Sequence, residues 1–388
     1  AIVLLSLVAL SDPVGATPVL APRPLTGAVN AAERADWAMA ARLAAKAAPE
    51  AETLVEWMRL RSGEGTAAQA LAFVQRYPHW PGLARLARQS EAAFVQAPAA
   101  ERLAFFRAYP PVSSGAALSF AEALMGAGER GEAEATLVMA WRSLEMDSAQ
   151  QAAYLARYES LLAPHHAARL DMALWRGLSG EVRRMLPLVS APQRALASAR
   201  QGLRAGAPDP EALIAKVPVA LRGHPGLAYE VFLWHYHRGS KARAIALMIE
   251  SSAAGNLGEP LRWAGWRRSL VRQIMREGDA HTAYALSRDH GLFEGSSFAD
   301  LEWLAGYLAL RKLGDPARAL QHFERMREAV ESPISLGRAG FWKGEALERL
   351  GRNDAARAAY AAGGQHQTSF YGLLAAERAG AGSDVALK

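Results

Sequence analysis

The chain contains no cysteine, which excludes a disulfide framework, a thiolate metal site and a thiol nucleophile together. Aromatic residues are scarce, at 8%, and runs of Val, Ile or Thr are few, so the residue signal of a β-sheet is missing. Neither sign of charge dominates: 44 Lys and Arg stand against 38 Asp and Glu, a net +6 spread along the chain. That balance gives a mild attraction toward acidic polymers and lacks the concentrated basic block of a nucleic-acid binder. No segment approaches the ~18 uninterrupted apolar residues of a membrane span. Neither nucleic acid nor stable membrane insertion is therefore expected.

What the chain has is alanine throughout, with 51% hydrophobic residues over a length of 388. This length exceeds the range over which one compact core keeps growing, so two domains or an extended repeat array are the alternatives. Small helix-forming residues favour the array, and the expected fold class is all-α. At the front, residues 1–10 (AIVLLSLVAL) form an apolar run of signal-peptide length, and Val14 and Ala16 fit the small-residue rule for cleavage before Thr17. Residues 1–16 are thus read as a signal peptide truncated at its start, with a buried helix start as the alternative. Residues 17–29, holding Pro18, Pro22 and Pro24, are read as a disordered or extended Pro-rich leader. Helical patterning is expected from about Asn30 to residue 380, with 381–388 beginning a linker.

Within the helical region, apolar positions recur at helical spacing and Gly or Pro punctuates them, giving short helices with tight turns. Gly239, Gly278, Gly314 and Gly351 each open a similar Ala-rich stretch and lie 39, 36 and 37 residues apart. This degenerate period is close to that of tetratricopeptide arrays, in which a glycine turn joins two antiparallel helices. One unit reads in detail. Ser297 fits an N-cap with Asp300 at capping-box spacing, and Leu301, Leu304, Ala305, Leu308 and Ala309 form one apolar stripe. Trp303, Tyr307 and Leu310 form a second stripe, as in a helix with neighbours on both sides. After Gly314, Asp315 is placed to cap and Pro316 to occupy the first helical position. Leu320, Phe323 and Val330 carry the return helix, and Trp342, Ala346 and Leu350 begin the scheme again. Trp57, Trp80, Trp141, Trp175 and Trp234 read as wedges between helices, with a sugar-stacking platform as the alternative.

Motifs of chemistry are few. Gly126-Ala-Gly128-Glu-Arg-Gly131 has the spelling of a dinucleotide loop, but a helix precedes it where the loop needs a strand, so a helix-to-helix turn is expected. His165-His166 and His235-Tyr-His237 lack the i, i+3 or i, i+4 spacing that brings two imidazoles to one metal from a helix. No G-x-S-x-G elbow occurs.

Several stretches follow one another in a specific order: Leu54-Val-Glu-Trp57-Met-Arg-Leu60, Tyr77-Pro-His-Trp80-Pro-Gly82, His165 to Gly177, Pro225-Gly-Leu-Ala-Tyr229, Asp300 to Leu310 and Ser332-Pro-Ile-Ser335. Thr368-Ser-Phe-Tyr-Gly-Leu-Leu-Ala-Ala-Glu-Arg-Ala-Gly380 closes the series. From about residue 35 to 380 the chain resembles the helical, U-shaped region of soluble lytic transglycosylases, the periplasmic enzymes (peptidoglycan lytic murein transglycosylases) that cut glycan strands. The resemblance implies a right-handed superhelix of antiparallel helix pairs, tetratricopeptide-like and ring or U shaped. It also implies a location in the periplasm and a linker and lysozyme-like catalytic domain after Lys388. The partners it implies are peptidoglycan glycan strands, whose peptide carboxylates suit the basic charge, that catalytic domain and other cell-wall proteins. The family reaction is non-hydrolytic cleavage of the MurNAc–GlcNAc β-1,4 bond, giving 1,6-anhydro-MurNAc ends.

In that family one Glu, placed before Ser and followed by Gly-Leu-Met-Gln, is acid and then base. This chain offers Glu159-Ser160, Glu250-Ser251 and Glu331-Ser332 but no Gly-Leu-Met-Gln, so all three read as solvent-facing. No catalytic, cofactor-binding or metal residue is assigned, no cofactor is expected, and the chain is read as a non-catalytic scaffold. A stand-alone periplasmic helical-repeat scaffold for another protein is the alternative. A glycosidase hidden in the helices would require facing carboxylates, or a sequestered acid, in a sugar-sized groove.

Overall fold

The structure, a computed structural model, describes residues 23–382. The signal-peptide reading of 1–16, residues 17–22 of the leader and residues 383–388 of the linker fall outside the described residues. The described chain is all-α, with helices packed in sequential antiparallel pairs and no strand among the described residues.

Among the described residues, those from Arg23 to His165 form one compact unit. It comprises α1 (Pro24–Glu33), α2 (Trp37–Ala44), α3 (Pro49–Arg61), α4 (Ala67–Arg76), α5 (Leu83–Phe94), α6 (Ala99–Ala108), α7 (Ser114–Gly126), α8 (Arg130–Ser143) and α9 (Ser148–Leu162). Its first helix corrects the leader reading, because Pro24 stands at the helix start, where its missing N–H costs nothing. Ala28, Ala31 and Ala32 then bury against Ala40, Ala44 and Val55. The Gly126–Gly131 stretch is a turn between helices. Gly128 has φ 81°, and Glu129 N–H closes back onto Leu124 C=O at 2.9 Å.

Residues from His166 form the second unit. It begins with α10 (His166–Arg176), α11 (Ser179–Met185), α12 (Ala191–Arg204) and α13 (Pro210–Ala215). The pairs α14 (Pro225–His237) with α15 (Lys241–Ala253) and α16 (Pro260–Glu277) with α17 (Ala280–Ser287) follow. Then come α18 (Gly295–Arg311) with α19 (Pro316–Glu328), α20 (Pro333–Arg349) with α21 (Asn353–Gly364), and α22 (Phe370–Arg378) against α20 and α21.

The four glycines of the sequence period all sit between paired helices, with φ of 81°, 95°, 67° and 73° at Gly239, Gly278, Gly314 and Gly351. A side chain with a Cβ would cost about 1–2 kcal/mol in that left-handed conformation. After Gly314, Asp315 accepts from Arg318 N–H at 2.9 Å and Pro316 starts α19, as expected. The Ser297 cap is corrected. Gly295, at φ 83°, already turns the chain into α18, so Ser297 falls inside the first turn and Asp300 is drawn to an arginine instead.

Leu301, Leu304, Ala305, Leu308 and Ala309 are all buried, as is Leu310, while Trp303 and Tyr307 are half-buried. Leu320 and Phe323 bury from α19, whereas Val330 lies past its end. Trp141 and Trp175 are buried wedges; Trp57, Trp80 and Trp234 are only half-buried.

Packing between partners uses glycines within helices. A Cβ on Gly306 of α18 would lie 2.4 Å from the Phe323 ring of α19, and one on Gly344 of α20 would lie 2.4 Å from the Tyr360 ring of α21. The same ring-in-glycine joint therefore recurs in consecutive repeats. At the close of the array backbones touch: a Cβ on Gly340 would be 2.5 Å from Gly363 Cα, and one on Gly372 would be 1.9 Å from His366 C=O. No helix among the described residues is long and apolar enough to cross a membrane.

Candidate functional site

Protonating a glycosidic oxygen requires a carboxylic acid kept neutral by an apolar pocket. Glu159, Glu250 and Glu331 are exposed, and Glu331 lines the recess described next. Ser332 is spent on capping α20, accepting from Ser335 N–H at 3.4 Å. Ser251 departs from the expected surface position and is buried.

A different carboxylate is sequestered. Glu302 of α18 lines a recess of about 960 Å³ together with the 289–295 loop, Phe298, Arg325, Glu328, Ala329 and Glu331. This meets the form of the arrangement that would make the chain an enzyme, so its chemistry decides. Leu292 N–H donates to His290 Nδ1 at 3.1 Å, which places that ring's hydrogen on Nε2, 3.1 Å from Glu302 Oε1. Arg325 Nε donates to the same oxygen at 3.1 Å. His322 Nδ1 lies 2.7 Å from Oε2, and its Nε2 lies 2.9 Å from the Tyr284 hydroxyl. Burial alone pushes the Glu302 carboxyl up. The donors from His290, His322 and Arg325 outweigh it and hold the group down at about 2. Glu302 is therefore a fixed anion, the opposite of an acid poised to give up a proton. It ties the loop before α18 to the α18–α19 hairpin.

Other buried carboxylates are likewise committed to donors. Glu345 of α20 pairs with Arg311 and, at 3.1 Å, with Arg378, and accepts from the Tyr360 hydroxyl at 3.2 Å. Burial, then the Glu345 and Glu348 charges, push that hydroxyl well above its ordinary range. Glu230 pairs with Arg204, and Glu91 accepts from Val112 and Ser113 N–H at 2.7 and 2.8 Å. Arg267, itself buried, gives its hydrogens to Leu286 C=O at 2.6 Å and Ser252 Oγ at 2.7 Å, and burial lowers it to about 10. These groups join helices; none is aimed at a substrate-sized space.

The histidine pairs stay apart in role. His166 is buried and His165 half-buried; His235 lies edge-on to Trp234 and His237 edge-on to Trp266. Burial, with Arg243 nearby, lowers His235. No group of His, Asp and Glu among the described residues has the geometry to hold a metal ion.

A band of aromatic rings links α18, α20 and α22. Trp303 and Tyr307 stack at 5.5 Å on one side of α18, and both meet Trp342 of α20 edge to face, at 6.0 and 5.4 Å. Phe341 and Tyr371 continue the band, and Phe370, 69% exposed, ends it on α22. Arg338 lies over Trp303 at 5.2 Å and Arg311 over Trp342 at 5.5 Å. Within the band the guanidinium groups of Arg338 and Arg311 cover the Trp303 and Trp342 rings, Trp342 is buried, and Phe370 is the ring most open to solvent. The band holds no nucleophile and no poised acid. The Trp303–Tyr307 stripe was legible as helix packing, but its partner Trp342 was not, since periodicity does not say which helix comes alongside. No protein-family model matches the chain, and no curated protein matches it.

Proposed function

We propose that this chain is the non-catalytic helical support region of a soluble lytic transglycosylase, and that it holds peptidoglycan glycan strands in the periplasm after export through a cleaved signal peptide. In this reading the pairs stack as a right-handed, tetratricopeptide-like superhelix of ring or U shape. Its partners are glycan strands, a lysozyme-like catalytic domain and other cell-wall proteins. Formation of 1,6-anhydro-MurNAc ends belongs to that catalytic domain. The observation that carries the reading is the closing Phe370–Glu377 stretch, the most specific part of the resemblance. It is a helix seated by Gly372 at the end of a series of glycine-turned pairs. The state of Glu302 supports it, because the recess that could have hosted cleavage contains a pinned anion.

Incubation with purified sacculi tests the reading. Co-sedimentation without release of anhydro-muropeptides is expected. Abundant anhydro-muropeptides would overturn the division of labour, and failure to co-sediment would favour the stand-alone protein-binding scaffold.

A further inference from the structure

Away from the Glu302 recess, three arginines converge on a single carboxylate. Asp300 of α18 has Arg272 Nη2 at 2.7 Å and Arg268 Nη1 at 3.6 Å from its Oδ2, both from α16. Arg338 Nη1 of α20 lies 3.8 Å from its Oδ1. Three cations against one anion leave a net +2. Only the Arg272 contact is a hydrogen bond, so the Arg268 and Arg338 forks are held close without being used up. The cations are also the more open partners: their side chains are 35%, 37% and 23% exposed at Arg268, Arg272 and Arg338, against 16% for Asp300. Positive charge is thus turned outward with its counter-charge beneath it. Burial, partly offset by Asp300, disfavours the charged form of Arg338, and the nearby Arg272 adds to this, so a second anion would relieve the crowding. Trp303 lies under Arg338 and backs that guanidinium group.

We propose that Arg268, Arg272 and Arg338, flanked by the Trp303 ring, form a receptor for a carboxylate, and that its ligand is a free carboxylate of the peptide stems of peptidoglycan. This rests on the reading of the chain as a peptidoglycan-holding scaffold. The guanidinium fork matches the planar carboxylate in two parallel hydrogen bonds, and the indole beneath Arg338 holds that fork in place.

The test is a cycle of co-sedimentation measurements at one fixed ionic strength, using the full chain, native sacculi and sacculi whose peptide carboxylates have been amidated chemically. Amidation is expected to weaken binding of the wild-type chain about fivefold or more. The Arg272→Gln, Arg338→Gln double variant should lose a similar factor on native sacculi and nothing further on amidated ones. Equal wild-type binding to both sacculi, or an equal loss by the variant on both, overturns the receptor while leaving the scaffold reading in place. Displacement from native sacculi by inorganic phosphate at concentrations where acetate has no effect overturns it in favour of a phosphate site. If the double variant does not fold, the single Arg268→Gln variant takes its place in the same cycle, because a net +6 alone makes wild-type binding sensitive to amidation. Absence of wild-type binding to either removes the scaffold reading and the receptor with it.

Discussion

Glu302 keeps its charge because three donors reach it from positions 12, 20 and 23 residues away in the chain. That separation is why nothing in the sequence marked it, although it lies within the stretch Asp300–Leu310 that carried part of the resemblance. A pattern reading detects neighbours at three or four residues, and this cluster exists only once α18 and α19 have paired. Its pH dependence has a definite sign. The folded value of about 2 lies below the ordinary 4.5, so the folded state favours the ionised form. The resulting contribution, about 3 kcal/mol, is complete above pH 4.5 and is lost as pH falls toward 2. Urea unfolding of wild type and Glu302→Gln across that window should show the wild type losing the larger share of its stability; parallel curves would refute the assignment. At pH 7 the same substitution should cost about 1–3 kcal/mol, since the hydrogen bonds from His290 and Arg325 lose their charged acceptor.

Individual elements were legible where backbone conformation demands a residue type and obscure where space alone does. Gly314, Asp315 and Pro316 announce a turn, a cap and a helix start in consecutive positions, and the structure uses all three so. Gly306, Gly340 and Gly344 read in sequence as weak points of helices, because the ring or backbone that fills the gap comes from another helix. Ser297 failed as a cap for a related reason, since Gly295 begins the helix earlier than the apolar stripe requires. Two substitutions separate the kinds of glycine. Gly340→Ala forces a methyl against Gly363 Cα and should destabilise by about 1–3 kcal/mol. Gly265→Ala, mid-helix in α16 with nothing within 4 Å of its Cβ, should stabilise by about 0.5–1 kcal/mol. Thermal melts of the two variants should move in opposite directions; an unchanged Gly340→Ala would contradict the close backbone approach.

For the whole molecule, composition sufficed to read an all-α chain of paired helices, because missing β-formers and abundant alanine act over hundreds of residues at once. The order of binding surfaces was not readable, since it depends on which side of each helix lacks a neighbour. The second unit buries a core cluster reaching from Trp175 to Ala375, with smaller clusters around Leu196 and Met326 beside it. Residues 166–382 expressed alone should therefore keep helical circular dichroism and melt cooperatively; a non-cooperative, dye-binding product would contradict a self-contained core. Attraction through a net +6 should also weaken with salt, so retention on sacculi is expected to fall as ionic strength rises from about 0.05 to about 0.5 M. Insensitivity to salt would remove charge from the account. The seating of Phe323 in Gly306, and of Tyr360 in Gly344, has a mechanical side. Each joint locks a hairpin to itself, so a chain pulled from its ends yields stepwise, one hairpin unravelling while the next still bears the tension.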